Sequence, residues 1–191
     1  MRCYHFGNMY MSSIQQGIQA AHAQMELFNK YVPQTDEDSI PEEIFTQLFD
    51  WSKNHKTMIC LNGGYLETMQ ELYDFMNVSQ NPYPFSNFHE AKETMNGMLT
   101  NVAIVLPEKI YEVAKLIRSN ILCFSNETQH VPKPGLNNNN PETKNEIYFT
   151  LEIQKDKEPL SNDFIKNLLN QEYTLFEKEL ILRLNTFNFA I

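Results

Sequence analysis

The segment from Tyr4 to Val32 places the tightest constraint on this chain's fold. A short aromatic run, Tyr4 to Tyr10, leads into Ser12 and Ser13 and then into a stretch free of proline. Ile14, Ile18, Ala21, Met25, Phe28 and Val32 recur at steps of four and three, the spacing of one helical face. A serine at the start caps such a helix, because its hydroxyl accepts from an otherwise orphaned amide of the first turn. Gln15, Gln19, His22 and Glu26 fall in a narrow arc beside the stripe, about 100° from its centre. Ala20, Ala21 and Ala23 are small, so a second backbone or a ligand can approach closely. A strand feeding an amphipathic helix requires a sheet for that helix to cover.

The same alternation continues along the chain. Residues 2–11 give a first strand and 12–32 a helix that stops before Pro33. An acidic loop runs from Gln34 to Ser39. Pro41 opens a second helix, where its missing amide costs nothing, and Ile44, Leu48 and Trp51 form its face. Residues 56–61 are a compact apolar strand, broken by Asn62, Gly63 and Gly64. A helix follows on Leu66, Met69, Leu72, Tyr73 and Met76. After the rigid turn at Pro82 and Pro84, residues 85–90 give a third strand, residues 91–97 a loop and residues 100–106 the clearest strand, rich in β-branched residues. A helix on Ile110, Val113, Ala114 and Ile117 closes the core. The expected fold class is α/β, a mixed sheet flanked by helices. Residues 1–120 form that core, 121–145 an Asn- and Pro-rich excursion, and 146–191 an extension packed on the core or on a partner subunit. In the extension, residues 146–153 suggest a strand. Phe164, Leu168 and Leu169 mark one helix, and Phe176, Leu180, Leu184 and Phe187 another.

Gln19-Ala20-Ala21-His22-Ala23 matches the Gln-x-x-His-Ala of type 2 peptidyl-tRNA hydrolases, and the order of elements resembles that family through about the first two thirds of the chain. The resemblance implies an α/β sandwich and a catalytic group: a lysine and a histidine on the first helix, with an aspartate and a threonine in the loop before the last core strand. In this chain His22 is retained, whereas Gln15 stands at the lysine position. The segment from Phe88 to Thr94 replaces the usual Asp-x-Gly-x-Thr loop, with Glu90 nearest the aspartate and Lys92 or Thr94 nearest the threonine. A catalytic set of His22, Glu90 and Lys92 applies if the hydrolase chemistry is kept. Gln15 cannot supply the positive charge that stabilises a developing oxyanion.

Composition narrows the partners. The net charge is −9, and affinity for nucleic acid rests largely on neutralised phosphates. Lys109, Lys115 and Arg118 share their helix with Glu108 and Glu112, which describes a solvated face better than a dense basic patch. Cys3, Cys60 and Cys123 are odd in number and far apart, without disulfide or zinc spacing, and the histidines are scattered. No cofactor or metal is expected. No apolar run has the length of a membrane span, so a cytoplasmic protein is expected, in the host cytoplasm if the chain is viral.

The function expected is non-hydrolytic binding or sequestration of a nucleotide-type small molecule on a peptidyl-tRNA hydrolase-like scaffold. Proteins of this resemblance occur in tailed phages, which extends the expectation to a phage protein that counters host nucleotide signalling. The expected ligand-binding residues are Gln15, Gln19, His22, Asn62, Tyr83, Phe88, His89, Glu90 and Thr94. Asn62 opens a turn suited either to an anion or to plain chain reversal, and Tyr83 or Phe88 would stack on a base or pack in the core. The alternatives are a peptidyl-tRNA hydrolase acting on tRNA and a protein-interaction module, with a homo-oligomer formed through the C-terminal extension.

Overall fold

The computed structural model describes residues 1–32, 40–128, 167, 169 and 172–187, with side chains of the long helix after the last strand described through Arg118. The elements in chain order are β1 (Arg2–Gly7), α1 (Ser13–Tyr31), α2 (Glu42–Asp50) with a π-helical turn (Trp51–His55), β2 (Met58–Asn62) and α3 (Leu66–Met76). There follow β3 (Phe85–His89), α4 (Lys92–Met95), β4 (Leu99–Leu106), α5 (Glu108–Thr128) and α6 (Leu175–Leu184). The strands form one mixed sheet in the order β2-β1-β4-β3, with β1 parallel to β2 and antiparallel to β4, and β3 antiparallel to β4.

All eight side chains of β4 are buried, as expected for a strand inside a covered sheet. Pairing places Cys3, His5 and Gly7 on one face, beside Cys60 and Asn62 of β2 and Ala103 and Asn101 of β4. α1 covers this face, and the Ser86 hydroxyl of β3 donates to the Ala23 carbonyl at 2.6 Å. Phe6 lies on the opposite face and meets Phe187 edge-on at 4.8 Å. α6 packs beside α5, with Phe176, Leu180, Ile181 and Leu184 buried. The described end of the C-terminal extension therefore belongs to the same core.

Five expectations need correction. β1 ends at Gly7 because Asn8 turns the chain: its side chain accepts from the Tyr10 amide and its carbonyl from the Met11 amide. Residues 91–97 include the short helix α4, and α5 continues to Thr128, into the expected excursion. The third strand, by contrast, ends one residue early at His89. The largest correction concerns α1. Its buried row is Gln16, Gln19, Ala20, Ala23, Leu27 and Tyr31, whereas Ile14, Ile18 and Met25 are 79%, 51% and 60% exposed. The helix is seated on its small residues because it lies close to β1 and β4. A Cβ at Gly7 would stand 3.0 Å from the Gln16 side chain. Larger residues on that row would hold the helix away from the sheet. The strand expected over 146–153 and the residues Phe164 and Leu168 lie outside the described residues; Leu169 is buried.

Candidate functional site

The candidate site forms where the middle of α1 meets the end of β3 and the start of β4. Ser12 caps α1, and Gln15 completes a reciprocal capping box, its Oε1 accepting from the Ser12 amide at 3.0 Å. One turn later Gln19 faces the sheet edge. β3 has a bulge between Phe88 and His89, which carries Glu90 out of the ladder, and the Glu90 amide donates to the Met98 carbonyl at the loop base. The loop reverses at Asn96 and Gly97, both with positive φ, 53° and 72°. Asn and Gly tolerate that conformation best.

Gln19, Glu90, Thr94 and Thr100 form one hydrogen-bonded group. Gln19 Nε2 donates to Glu90 Oε1 at 2.6 Å, and Thr100 Oγ1 donates to Gln19 Oε1 at 3.2 Å. Thr94 Oγ1 lies 3.4 Å from Glu90 Oε2 and 2.9 Å from the Ala91 carbonyl. Beside this group the exposed His22 ring stacks on Phe88, with centroids 4.6 Å apart and planes 16° off parallel. His89 lies 3.0 Å from the Gly97 carbonyl through Nδ1, which therefore carries the proton. A groove of about 690 Å³ borders the same loop; Glu67, Glu71 and Asp74 of α3 form one wall, His89 and Met95 the other.

The structure thus brings together Gln19, His22, Phe88, Glu90 and Thr94, with His89 on the outer side of the loop. Lys92 is exposed at the start of α4, and the hydroxyl at Glu90 belongs to Thr94. Three expected ligand residues are elsewhere. Gln15 is consumed by the helix cap, as sequence spacing from Ser12 permits. Asn62 Oδ1 accepts from the Gly64 amide at 3.0 Å and shapes a tight turn, where Gly63 donates to the Gly7 carbonyl at 2.7 Å. Tyr83 is buried just ahead of β3, at the strand end away from Phe88, and donates to Glu177 Oε1 at 2.6 Å. Its ring is not free to stack on a base.

Two polar features escaped the sequence. Thr100 is a buried member of the site, and only its place at the head of an apolar strand marks it. The second is a buried chain, Cys3–His5–Asn101. Cys3 Sγ lies 3.3 Å from His5 Nε2, and His5 Nδ1 lies 3.2 Å from Asn101 Oδ1. Because an amide oxygen only accepts, Nδ1 carries the proton, and Nε2 accepts from the thiol. Burial lowers the His5 pKa to about 4 and raises that of the Cys3 thiol. A neutral imidazole and a protonated thiol, both inaccessible, serve the core and supply no nucleophile.

No lysine or arginine among the described residues pairs with Glu90. Among the described residues no group of three His, Cys, Asp or Glu side chains is placed to hold a metal ion, and no helix is long and apolar enough to cross a membrane. The site can accept and donate several hydrogen bonds and offers a flat aromatic surface beside them. No protein-family model and no curated protein matches this chain.

Proposed function

We propose that this protein binds a nucleotide-type small molecule without cleaving it, at the junction of α1 and the 89–98 loop. The observation that carries the reading is the adjacency of the Gln19–Glu90–Thr94–Thr100 group to the His22–Phe88 stack. A carboxylate and an amide are suited to the N–H and O–H groups of a base edge or a ribose, and an aromatic pair continues a stack onto a base. The acidic wall of α3 opposes a polyanion, so the reading favours a ligand with few phosphates over a tRNA. The scaffold is read as type 2 peptidyl-tRNA hydrolase-like on the strength of the Gln19 to Ala23 motif and the element order. Sequestration of a host nucleotide signal by a phage protein is one use of such a site.

Peptidyl-tRNA hydrolysis stands as the second reading. Its support is the placement of His22 near the Glu90–Thr94 loop. Against it, Gln15 is held in the helix cap, so the position that the resemblance assigns to a lysine brings no charge to Glu90. Calorimetry of mononucleotides, cyclic nucleotides and ADP-ribose derivatives separates the two. The expected result is a micromolar or tighter binder, about −8 kcal/mol, recovered intact by chromatography and weakened at least tenfold by Gln19→Ala and by His22→Ala. Turnover of peptidyl-tRNA that disappears in His22→Ala promotes the second reading instead.

A further inference from the structure

A groove of about 300 Å³ lies between α1 and the β3 edge, lined by Glu26, Asn29 and Lys30 from the helix and by Ser86 and Asn87 from the strand. Small-ligand sites begin at about this size. β3 is an outer strand of the sheet. The Val105 amide donates to the Pro84 carbonyl, so in this register Ser86 and Phe88 turn their backbone groups toward β4, and Phe85 and Asn87 turn theirs outward. The outward groups of Phe85 are occupied: its amide donates to the Tyr31 hydroxyl at 3.4 Å, and its carbonyl accepts from Lys30 Nζ at 3.3 Å. The amide and carbonyl of Asn87 have no hydrogen-bond partner among the described residues. The neighbouring charges are equally uncommitted. Glu26 and Lys30 stand four residues apart on α1, yet neither forms an ion pair with the other or with any described residue. Lys30 instead lies over the Phe85 ring, 3.4 Å from its centroid, and desolvation lowers its pKa to about 8.

We infer that this groove binds a dipeptide with free termini, extended along β3, with its carboxylate at Lys30, its ammonium at Glu26 and its backbone on the open groups of Asn87. An exposed strand edge recognises extended peptide through main-chain hydrogen bonds. Charge sets the direction. α1 runs antiparallel to β3, since His22 stacks on Phe88 and Lys30 reaches back to Phe85. Lys30 therefore stands at the start of β3, and Glu26 one helical turn away toward Phe88. A peptide antiparallel to β3 ends at Lys30, whereas a parallel one would bring its carboxylate to Glu26. Spacing sets the length. One turn of helix advances about 6 Å, and two extended residues span about 7 Å, against about 3.5 Å for a single amino acid. The inference does not rest on the nucleotide reading, whose residues lie at Gln19, His22 and the 89–98 loop.

The test is an NMR titration of the full chain with Ala-Ala, alanine, N-acetyl-Ala-Ala and Ala-Ala-amide. Ala-Ala should bind with a Kd below about 1 mM and shift the Asn87 backbone amide. Alanine and the two blocked dipeptides should each bind at least about tenfold more weakly, since each forfeits a charge-assisted bond or the span between the two charges. The variants should match the ligands. Lys30→Gln should weaken Ala-Ala about tenfold and leave Ala-Ala-amide unchanged, and Glu26→Gln should weaken Ala-Ala about tenfold and leave N-acetyl-Ala-Ala unchanged. Asn87→Pro removes an amide that points away from β4, which an edge strand tolerates, and should abolish the binding. If that variant fails to fold, the Lys30 and Glu26 variants and the ligand series still decide. No binding of Ala-Ala overturns the inference, as does equal binding by alanine or by either blocked dipeptide. So does binding that leaves the Asn87 amide in place, or that survives Lys30→Gln and Glu26→Gln undiminished.

Discussion

Glu177 is the most heavily bonded carboxylate in the molecule's described part, and Glu177→Gln is the sharpest test of how the C-terminal helix is held. The side chain is 4% exposed. It accepts from the Tyr83 hydroxyl at 2.6 Å, the Lys109 ammonium at 2.7 Å and the Thr174 amide at 2.8 Å. Burial pushes its pKa up, but the bonds from Lys109, Tyr83 and Thr174 outweigh burial and hold it near 2, against an ordinary 4.5. A difference of about 2.5 units corresponds to about 3 kcal/mol of stabilisation of the charged form in the folded state. Because the folded pKa is depressed, this contribution is complete above about pH 4.5 and is lost as pH falls through about 2. Glu177→Gln keeps the shape and removes the charge. It should cost about 2–3 kcal/mol at pH 7, and about 5–10 °C in melting temperature for a chain of this size. His5 supplies an internal control. Burial holds its pKa near 4 instead of 6.5, so stability falls between those values in parent and variant alike. Thermal melts from pH 7 to pH 3 should therefore show a parent–variant gap that is constant down to about pH 5 and then narrows. A gap near zero at pH 7, or one that stays constant to pH 3, refutes the reasoning.

The orientation of α1 gives a paired expectation: Leu27→Ala should cost about 2–5 kcal/mol in urea unfolding, whereas Ile18→Ser should change stability by no more than about 0.5 kcal/mol. Equal costs would mean that Ile18 faces the core. Gly7→Ala should cost about 1 kcal/mol, because the new Cβ displaces the Gln16 amide from the Asn8 and Met11 carbonyls at 3.4 and 3.2 Å. In a double-mutant cycle with Gln16→Ala most of that cost should vanish; strict additivity would contradict the contact.

The strands and most helices are legible in the sequence because their apolar patterns are short and bounded by turn residues. A strand at the start of the chain (though not its end at Gly7), the β-branched β4 and the faces of α2, α3, α5 and α6 follow from spacing, with Leu48, Trp51, Met69, Leu72, Met76, Ile110, Ala114, Leu180 and Leu184 all buried. α1 is the exception, and its failure is instructive. Hydrophobic periodicity locates the face with the largest apolar residues, but close helix–sheet contact selects small ones. The row through Gln16, Ala20 and Ala23 won because Gly7 leaves room for it. At the site, Gln19, His22, Phe88, Glu90 and Thr94 were legible because motif spacing and loop position place them. Tyr83 and Asn62 were not separable from site residues, since their partners, Glu177 and Gly64, are fixed by tertiary contact and by turn geometry. Thr100 and the His5–Asn101 pair depend on strand register, which a single sequence does not disclose.

The most direct test of the proposed binding site follows the imidazole resonances of the five histidines while a nucleotide is titrated into the full chain. His22 offers its exposed outer face beside the Gln19–Glu90 pair, whereas His5 is sealed in the core and His55 pairs with Asp50 at 3.2 Å on the surface. Saturating nucleotide should move the His22 ring protons upfield through stacking, leave His5 and His55 in place, and leave the nucleotide chemically unchanged. A nucleotide that binds without moving His22, or no binder among the nucleotides tried, contradicts the account.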